Sequence, residues 1–241
     1  MNGGRVSICC FTDALSEYAD DRALVAVDVI RATTTAVTAV SMGRDCYVVP
    51  SLQSALETAS RVPNALLAGE LGGAMPAGFE LTNSPAQLAA RSDISRPLVL
   101  LSSSGTRLMC AIGHRDAAYF ACFRNYSATI EHLAYNHDAV TLIGAATHGD
   151  FREEDQMCCA WIAEGLMRIG FAPEDEMTRC LVERWRGAPC DAFLRSQSVA
   201  YLRRSGQLRD LDFILKQFDD IRTPGAVVTT GDTTRAVAVK G

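Results

Sequence analysis

The run Val25-Ala26-Val27-Asp28-Val29-Ile30-Arg31-Ala32-Thr33-Thr34-Thr35 most narrows what this chain can fold into. The apolar stretch from Ala23 to Ile30 reads as a strand buried on both faces, interrupted near its end by one acid. An arginine and three threonines follow at once, and a helical pattern then begins. A buried strand running directly into a helix belongs to an α/β fold. A carboxylate at the mouth of such a strand suits a metal, and an arginine with hydroxyls at a helix start suits a phosphate or another anion. Together they point to metal-assisted chemistry on a phosphorylated small molecule.

The same alternation continues along the chain. Strands are expected at Arg5–Cys10, Ala23–Ile30, Asp45–Val49, Ala65–Ala68, Pro97–Ser102, Ala117–Cys122 and Ala139–Ala145. Helices are expected at Thr34–Met42, Leu52–Ser60, Pro85–Ala90, Thr106–Ile112, Ser127–Asn136 and Phe151–Ile169. In the last of these, Cys158, Trp161, Ile162, Gly165, Leu166 and Ile169 repeat at helical spacing, with Asp150 as the expected cap. The final third is more charged and reads as helical over Glu174–Trp185, Pro189–Arg204 and Gln207–Phe218, followed by β-like runs at Gly225–Thr230 and Arg235–Lys240. No Pro/Gly/Ser linker divides the 241 residues, so one domain is expected: a largely parallel or mixed sheet with a helical C-terminal segment packed on it.

Charge and cysteines exclude several classes. A net charge of −5 argues against a nucleic-acid binder, while local arginines can still receive a small anion. No apolar run reaches the roughly 18–20 residues that span a bilayer, and no secretory signal precedes Asp13. The nine cysteines are odd in number, form no CxxC pair and sit mostly in apolar patterns, so they are expected to be reduced, in a cytoplasmic setting. A structural zinc is not expected: His114, His132, His137 and His148 are scattered, and His132 and His137 lie five apart, poorly placed for one helical face. The apolar-rich helical tail can pack on its own core or on a second copy of the chain, which leaves a homodimer open.

Two segments carry the remaining chemistry. Gly69 to Ser84, GELGGAMPAGFELTNS, holds four glycines and few core candidates; a loop that long in a compact domain favours function, with Glu70, Asn83 and Ser84 as its polar contributors. Ser102-Ser103-Ser104-Gly105-Thr106-Arg107 follows an apolar strand and opens a helix, the usual parts of an anion cradle. Asp28, Glu70 and the acids Glu154 and Asp155 all fall near strand-to-helix junctions, which in a parallel sheet gather at one edge. Oxygen ligands converging there suit Mg2+. Asn125 ends another strand and is expected at the same edge. Known phosphatase signatures are missing: Ile30 stands where a haloacid-dehalogenase site needs a second acid, Cys180 to Arg186 spans a bulky helical run, and Thr147 precedes His148-Gly149 where a histidine phosphatase has arginine. Neither a Walker A loop nor GxGxxG occurs.

The stretches VDVIRATTTAVTAVSMG, GELGGAMPAGFELTNSP, LLSSSGTRLM, CFRNYSA and GAATHGDFREED, with the tail SGQLRDLDFILKQFDDIRTPGAVV, resemble the ComB family of magnesium-dependent 2-phosphosulfolactate phosphatases. The resemblance covers nearly the whole chain in order. It implies an α/β/α fold and hydrolysis of the phosphate ester of a small sulfonated hydroxy acid, a step that in some organisms leads toward coenzyme M. On this reading Asp28, Glu70, Glu154 and Asp155 hold Mg2+, and Asp28, Arg31 and His148 are catalytic. Thr33, Asn83, Ser84, Ser103, Ser104, Gly105, Thr106, Arg107 and Asn125 line the substrate. Three positions depart from the family pattern: Leu71 for arginine, Ser104 for asparagine and His148 for aspartate. They keep two alternatives open, a same-scaffold phosphatase for another phosphorylated hydroxy acid and a non-catalytic anion-binding descendant.

Overall fold

The computed structural model describes residues 3–11, 21–147 and 149–239. Its elements, in chain order, are β1 (Arg5–Cys10), β2 (Ala23–Val27), α1 (Ala32–Ser41), β3 (Cys46–Val49), α2 (Leu52–Arg61), β4 (Leu66–Gly69) and α3 (Pro85–Ala89). There follow β5 (Leu98–Leu101), α4 (Gly105–Ile112), β6 (Ala118–Ala121), α5 (Tyr126–Asn136), β7 (Ala139–Gly144), β8 (Ala146–Thr147), β9 (Asp150–Phe151) and α6 (Glu153–Arg168). The chain closes with β10 (Ala172–Pro173), α7 (Glu176–Trp185), α8 (Gln197–Arg204), α9 (Leu208–Lys216), β11 (Gly225–Thr230) and β12 (Thr233–Ala238).

Ten strands form one sheet in the order β10-β1-β7-β2-β6-β11-β12-β3-β5-β4. Two parallel blocks, β10-β1-β7-β2-β6 and β3-β5-β4, are joined by the antiparallel hairpin β11–β12. Three antiparallel junctions separate the blocks, so they run in opposite senses. The expectation that all strand-to-helix junctions share one parallel edge is therefore corrected. Twist supplies what parallelism does not. Five steps separate β2 from β5, and at roughly 20–25° per step the accumulated turn is about 100–125°, which swings an opposed strand more than halfway round.

The alternation of side chains along β2 shows how the layers are built. Val25 and Val27 face one core with α5, α6, α7, α8 and α9, including Leu133, Ile162, Trp185, Phe193, Val199 and Ile214. Leu24 and Ala26 face a second core with α1, α3 and α4, where Val37, Leu88, Leu108 and Met109 meet Leu98 and Leu100 of β5. The opposite side of β5 packs Val99 and Leu101 against Ala55 of α2 and Phe79. The curled sheet thus wraps α1 and α4 on a face common to both blocks, with other helices outside, giving three layers.

Helix starts follow their local sequences. Ser51, Ser84, Asp175 and Ser196 cap α2, α3, α7 and α8 with their side chains, and Pro85 occupies the first turn of α3. Asp150 does not cap α6: it lies exposed in the short ribbon β8–β9, and Arg152 is the N-cap residue, because Gly149 at positive φ turns the chain back before the helix begins. The helix expected from Pro189 starts only at Gln197; the preceding residues form turns around buried Phe193. None of the nine cysteines forms a disulfide, and Cys180 sits exposed within α7. Among the described residues, no helix is long and apolar enough to cross a membrane.

Candidate functional site

The site grows from the residues that follow β2. Thr33 Oγ1 donates to the Asp28 carbonyl at 2.8 Å and accepts from the Asp28 N–H at 3.0 Å, while the Thr33 N–H also reaches that carbonyl. Thr34 Oγ1 donates to the Val29 carbonyl at 2.8 Å. The threonines therefore knit the strand-to-helix turn to itself, and Thr33 is fully buried in doing so. The Ile30–Arg31 peptide within this turn is cis. The turn holds the Asp28 carboxyl beside the start of α4. A Cβ at position 105 would lie 2.0 Å from Asp28 Oδ2 and 2.6 Å from the Ala32 Cβ, so only glycine admits this approach. The first residues of α1 and α4, reached from oppositely directed strands, meet here.

The first turn of α6 closes the acid cluster. Asp155 Oδ1 accepts the Val29 N–H at 2.7 Å, bridging α6 to the turn after β2. Asp28, Glu154 and Asp155 are 7%, 1% and 3% exposed. Both carboxyl oxygens of Glu154 are buried and, among the described residues, none donates to them at good hydrogen-bond geometry, although the Ser198 and Ser196 hydroxyls lie near enough to offset part of the burial. Burial, followed by the opposing effect of the Ala32 N–H and then repulsion from Glu70 and Glu154, leaves the Asp28 carboxyl pushed up to about 7. Burial and the charges of Asp28 and Glu154 drive Asp155 well above the ordinary carboxylate range, and burial raises Glu154. Arg152, half-buried at the same helix start, opposes the rise at both. Three buried acids with this little compensation hold protons or require a cation.

Glu70 contrasts with them. Its Oε1 accepts the Ser103 N–H at 2.8 Å; its Oε2 accepts Ser103 Oγ at 3.0 Å and the Gly73 N–H at 2.7 Å. Ser103 Oγ in turn accepts the Gly72 N–H at 2.8 Å. Gly69 makes this corner possible: at φ +157 its missing Cβ would stand 2.3 Å from the Leu101 carbonyl oxygen. Leu71 lies in a tight turn with Ala74 and is exposed. The Glu70 charge adds to the rise of the Asp28 carboxyl, after burial.

The other expected residues divide between this centre and its supports. Ser104 starts α4 without a side-chain cap bond. Thr106 Oγ1 accepts the Ser102 N–H at 2.8 Å, and Ser102 Oγ accepts the Thr106 N–H at 3.0 Å, so these two lock the turn. Arg107 is exposed on α4. Asn83 is buried and its Oδ1 lacks a partner among the described residues. Ser84 caps α3 and donates to Asp210 Oδ1 at 2.5 Å. Asn125 accepts the Cys122 N–H at 3.0 Å, fully buried at the end of β6. His148 lies outside the described residues. His132 and His137 converge after all: each Nε2 lies within 3.1 Å and 2.8 Å, respectively, of the Tyr119 hydroxyl, because His137 lies beyond the end of α5 and is freed from helical spacing.

Sequence reasoning missed the contribution of the tail. Arg31, buried, donates through Nη1 to Asp210 Oδ2 and to Gln207 Oε1. Asp210 also receives the Ala86 N–H at 3.2 Å. The signal was present: Asp210 shares the buried face of α9 with Leu211 and Ile214, an acid where an amphipathic helix should be apolar.

The oxygen donors, their burial and the orphaned Glu154 carboxyl suit a hard divalent cation at Asp28, Glu154 and Asp155. Among the described residues, no group of three or more His, Cys, Asp or Glu side chains is placed so that it could hold a metal ion as the structure stands. The site supplies charge and donor type, with the remaining positions left to water and substrate oxygens, as is usual for Mg2+.

Comparison with known proteins adds to this geometry. The family model described as 2-phosphosulpholactate phosphatase matches residues 10–221. Three similar proteins are each named probable 2-phosphosulfolactate phosphatase. That of Pseudothermotoga lettingae is 39% identical over 138 residues, 57% of this chain and 59% of the relative, so the chain spans somewhat over half of that relative's length. That of Deinococcus radiodurans is 33% identical over 202 residues, covering 80% of this chain and 82% of the relative. That of Synechocystis sp. is 30% identical over 198 residues, covering 78% and 82%.

Proposed function

The chain belongs to the 2-phosphosulfolactate phosphatase family, a family of phosphoric monoester hydrolases, and from that premise we propose that it hydrolyses 2-phosphosulfolactate to sulfolactate and inorganic phosphate with Mg2+ as cofactor. The observation that carries the reading is the Asp28 carboxyl, pressed against Gly105 and grouped with buried, under-compensated Glu154 and Asp155. Asp28, Glu154 and Asp155 would hold the cation, with Glu70 as the acid behind the neighbouring loop. The cation, when bound, offsets their charge and supplies Lewis acidity toward a phosphoryl oxygen.

The chain's own groups bind and orient. Gly105 and Ser104 present the start of α4 to an anion without a covering side chain, and the start of α1 lies alongside. Arg31 adds a fixed positive charge three residues beyond Asp28. Ser103 and Thr106 hold the loop backbone in place through Glu70 and Ser102. His148 is the proposed proton donor to the leaving alkoxide.

Magnitudes require such a composite site. Phosphate-monoester hydrolysis calls for acceleration up to ~10²¹-fold, or roughly 28 kcal/mol. One placed donor contributes about 3–4 kcal/mol. Exposed Leu71 beside Glu70 favours a second reading, a same-scaffold phosphatase for a phosphorylated hydroxy acid with a less charged far end.

The test is phosphate release from a panel of phosphorylated hydroxy acids, with Mg2+ and after chelation. Expected is Mg2+-dependent release with 2-phosphosulfolactate as the preferred substrate. Preference for another phospho-acid supports the second reading. No release from any of them by folded protein overturns both and leaves an anion-binding descendant.

A further inference from the structure

Two buried arginines in this molecule use their guanidinium groups differently. Arg124 spends its side-on fork on the tail: Nε donates to Asp220 Oδ1 at 3.0 Å and Nη2 to Asp220 Oδ2 at 2.6 Å, while Nη1 reaches Thr38 Oγ1 at 2.7 Å. The Phe213 ring lies 5.2 Å below the guanidinium carbon. All three nitrogens of Arg124 are thereby engaged.

Arg31 is gripped at one corner only. Nη1 makes both of its bonds, to Asp210 Oδ2 and Gln207 Oε1. Among the described residues, Nε and Nη2 have no hydrogen-bond partner. These are the two nitrogens that form the parallel fork in Arg124, and a fork of this kind matches two oxygens of a carboxylate, sulfonate or phosphate. Unlike Arg44 Nε, which is buried with no partner, these two nitrogens keep contact with solvent although the residue is only 5% exposed, so an oxyanion can take the place of water on the fork.

Asp210 is itself fixed. Its Oδ1 accepts Ser84 Oγ at 2.5 Å and the Ala86 N–H at 3.2 Å. The tail is tied to the loops from a second point as well, since Tyr201 Oη donates to the Gly73 carbonyl at 2.6 Å and Gly73 N–H reaches Glu70. The aspartate therefore transmits the position of α3, α9 and the long loop to a single guanidinium corner.

We propose that Asp210 is a positioning residue: by holding Arg31 through Nη1, it presents the Nε–Nη2 fork to an oxyanion of the substrate. The proposal deepens the phosphatase reading, on which it rests for the identity of the oxyanion. The tail from Tyr201 to Asp210 is then part of the binding site, and Ser84 serves the substrate indirectly through Asp210.

The experiment is calorimetric titration of the full chain, in Mg2+ buffer, with inorganic phosphate and separately with sulfolactate. Wild type is compared with Asp210→Asn, Arg31→Lys and Asp220→Asn, with a thermal melt for each. Asp210→Asn and Arg31→Lys are expected to weaken one of the two anions by about tenfold or more, the loss of a bidentate charged contact. Weakened phosphate assigns the fork to the phosphoryl group; weakened sulfolactate assigns it to the acid end. Asp220→Asn, which breaks the tail's other arginine pair, is expected to lower Tm while leaving both affinities within about twofold, below the effect of losing a charged bond. If Asp210→Asn fails to fold, Arg31→Lys decides, because it keeps the charge and removes the fork. Wild-type affinity for both anions in folded Asp210→Asn or in Arg31→Lys, equal weakening in Asp220→Asn, or no binding of either anion to wild type would overturn the proposal. Wild type that binds phosphate but hydrolyses no phospho-acid would refute the phosphatase reading and leave the fork's role standing.

Discussion

Glu70, directly after β4, and Glu154, in the first turn of α6, live in opposite circumstances. Glu70 receives three hydrogen bonds and stitches the β4 loop to the start of the β5 turn. Glu154 receives none at good geometry among the described residues, with only Ser198 and Ser196 nearby to ease it, and it sits with Asp28 and Asp155 in a cluster whose charges repel. The carboxylate of the first acid is satisfied within the fold by these three bonds. The second group lacks a matching counter-charge, so its members hold protons unless a cation is supplied. Acids of the same sequence type thus separate into support and chemistry by their hydrogen-bond accounts.

The comparison breaks most sharply at Asp28. Asp28→Asn keeps the shape beside Gly105 and removes the charge; phosphate release is expected to fall by about three orders of magnitude or more, the scale of losing a central electrostatic group. Melts of the cation-free variant should at the same time show a Tm no lower than wild type, since a repelled buried charge is gone. A large drop in Tm would mean that Asp28 is structural in the way Glu70 is.

Removing Glu70 is the converse case. Glu70→Ala leaves the Ser103 and Gly73 N–H groups without their acceptor, and urea unfolding should register a loss of about 2–3 kcal/mol. Undiminished stability would place Glu70 with the under-compensated acids instead.

A smaller effect comes from protons alone. The Asp28 carboxyl sits at about 7 in the folded protein against 3.8 for the free side chain, and Asp155 and Glu154 are raised in the same direction. Between those values the folded state binds more protons than the unfolded one, so the cation-free protein loses stability as pH rises through the folded pKa. Calorimetric melts from pH 5 to 8 should show Tm falling, with a shallower fall in saturating Mg2+ and in Asp28→Asn. A Tm that rises across this range without a cation would contradict the burial of these charges.

The fold was largely legible because its signals are local. The apolar run of β2, the hydroxyl-rich turn into α1 and the glycine-rich loop after β4 each carry their structure in neighbouring residues. Glu70, Asp155, Gly105 and Arg31 could be singled out for the same reason. What was not legible depends on partners distant in sequence. The reversal between the two parallel blocks is created by β11 and β12, which join the sheet centre from the end of the chain. Asp210 reaches Arg31 across more than a hundred intervening residues, and only its place on an apolar helix face betrayed it. Asn125 looked like a site residue from its position after a strand, yet its amide is spent on the Cys122 N–H. Asp150 looked like a cap from its spacing, but a glycine at positive φ moved the helix start to Arg152.

The most direct test of the central claim, that the under-compensated acids rather than the satisfied one receive the cation, is an anomalous difference map from crystals soaked in Mn2+ as a Mg2+ substitute. The expected result is one strong peak bounded by Asp28, Glu154 and Asp155, weakened in Asp28→Asn. A peak held by Glu70 with none beside Glu154, or full occupancy unchanged in Asp28→Asn, would contradict it.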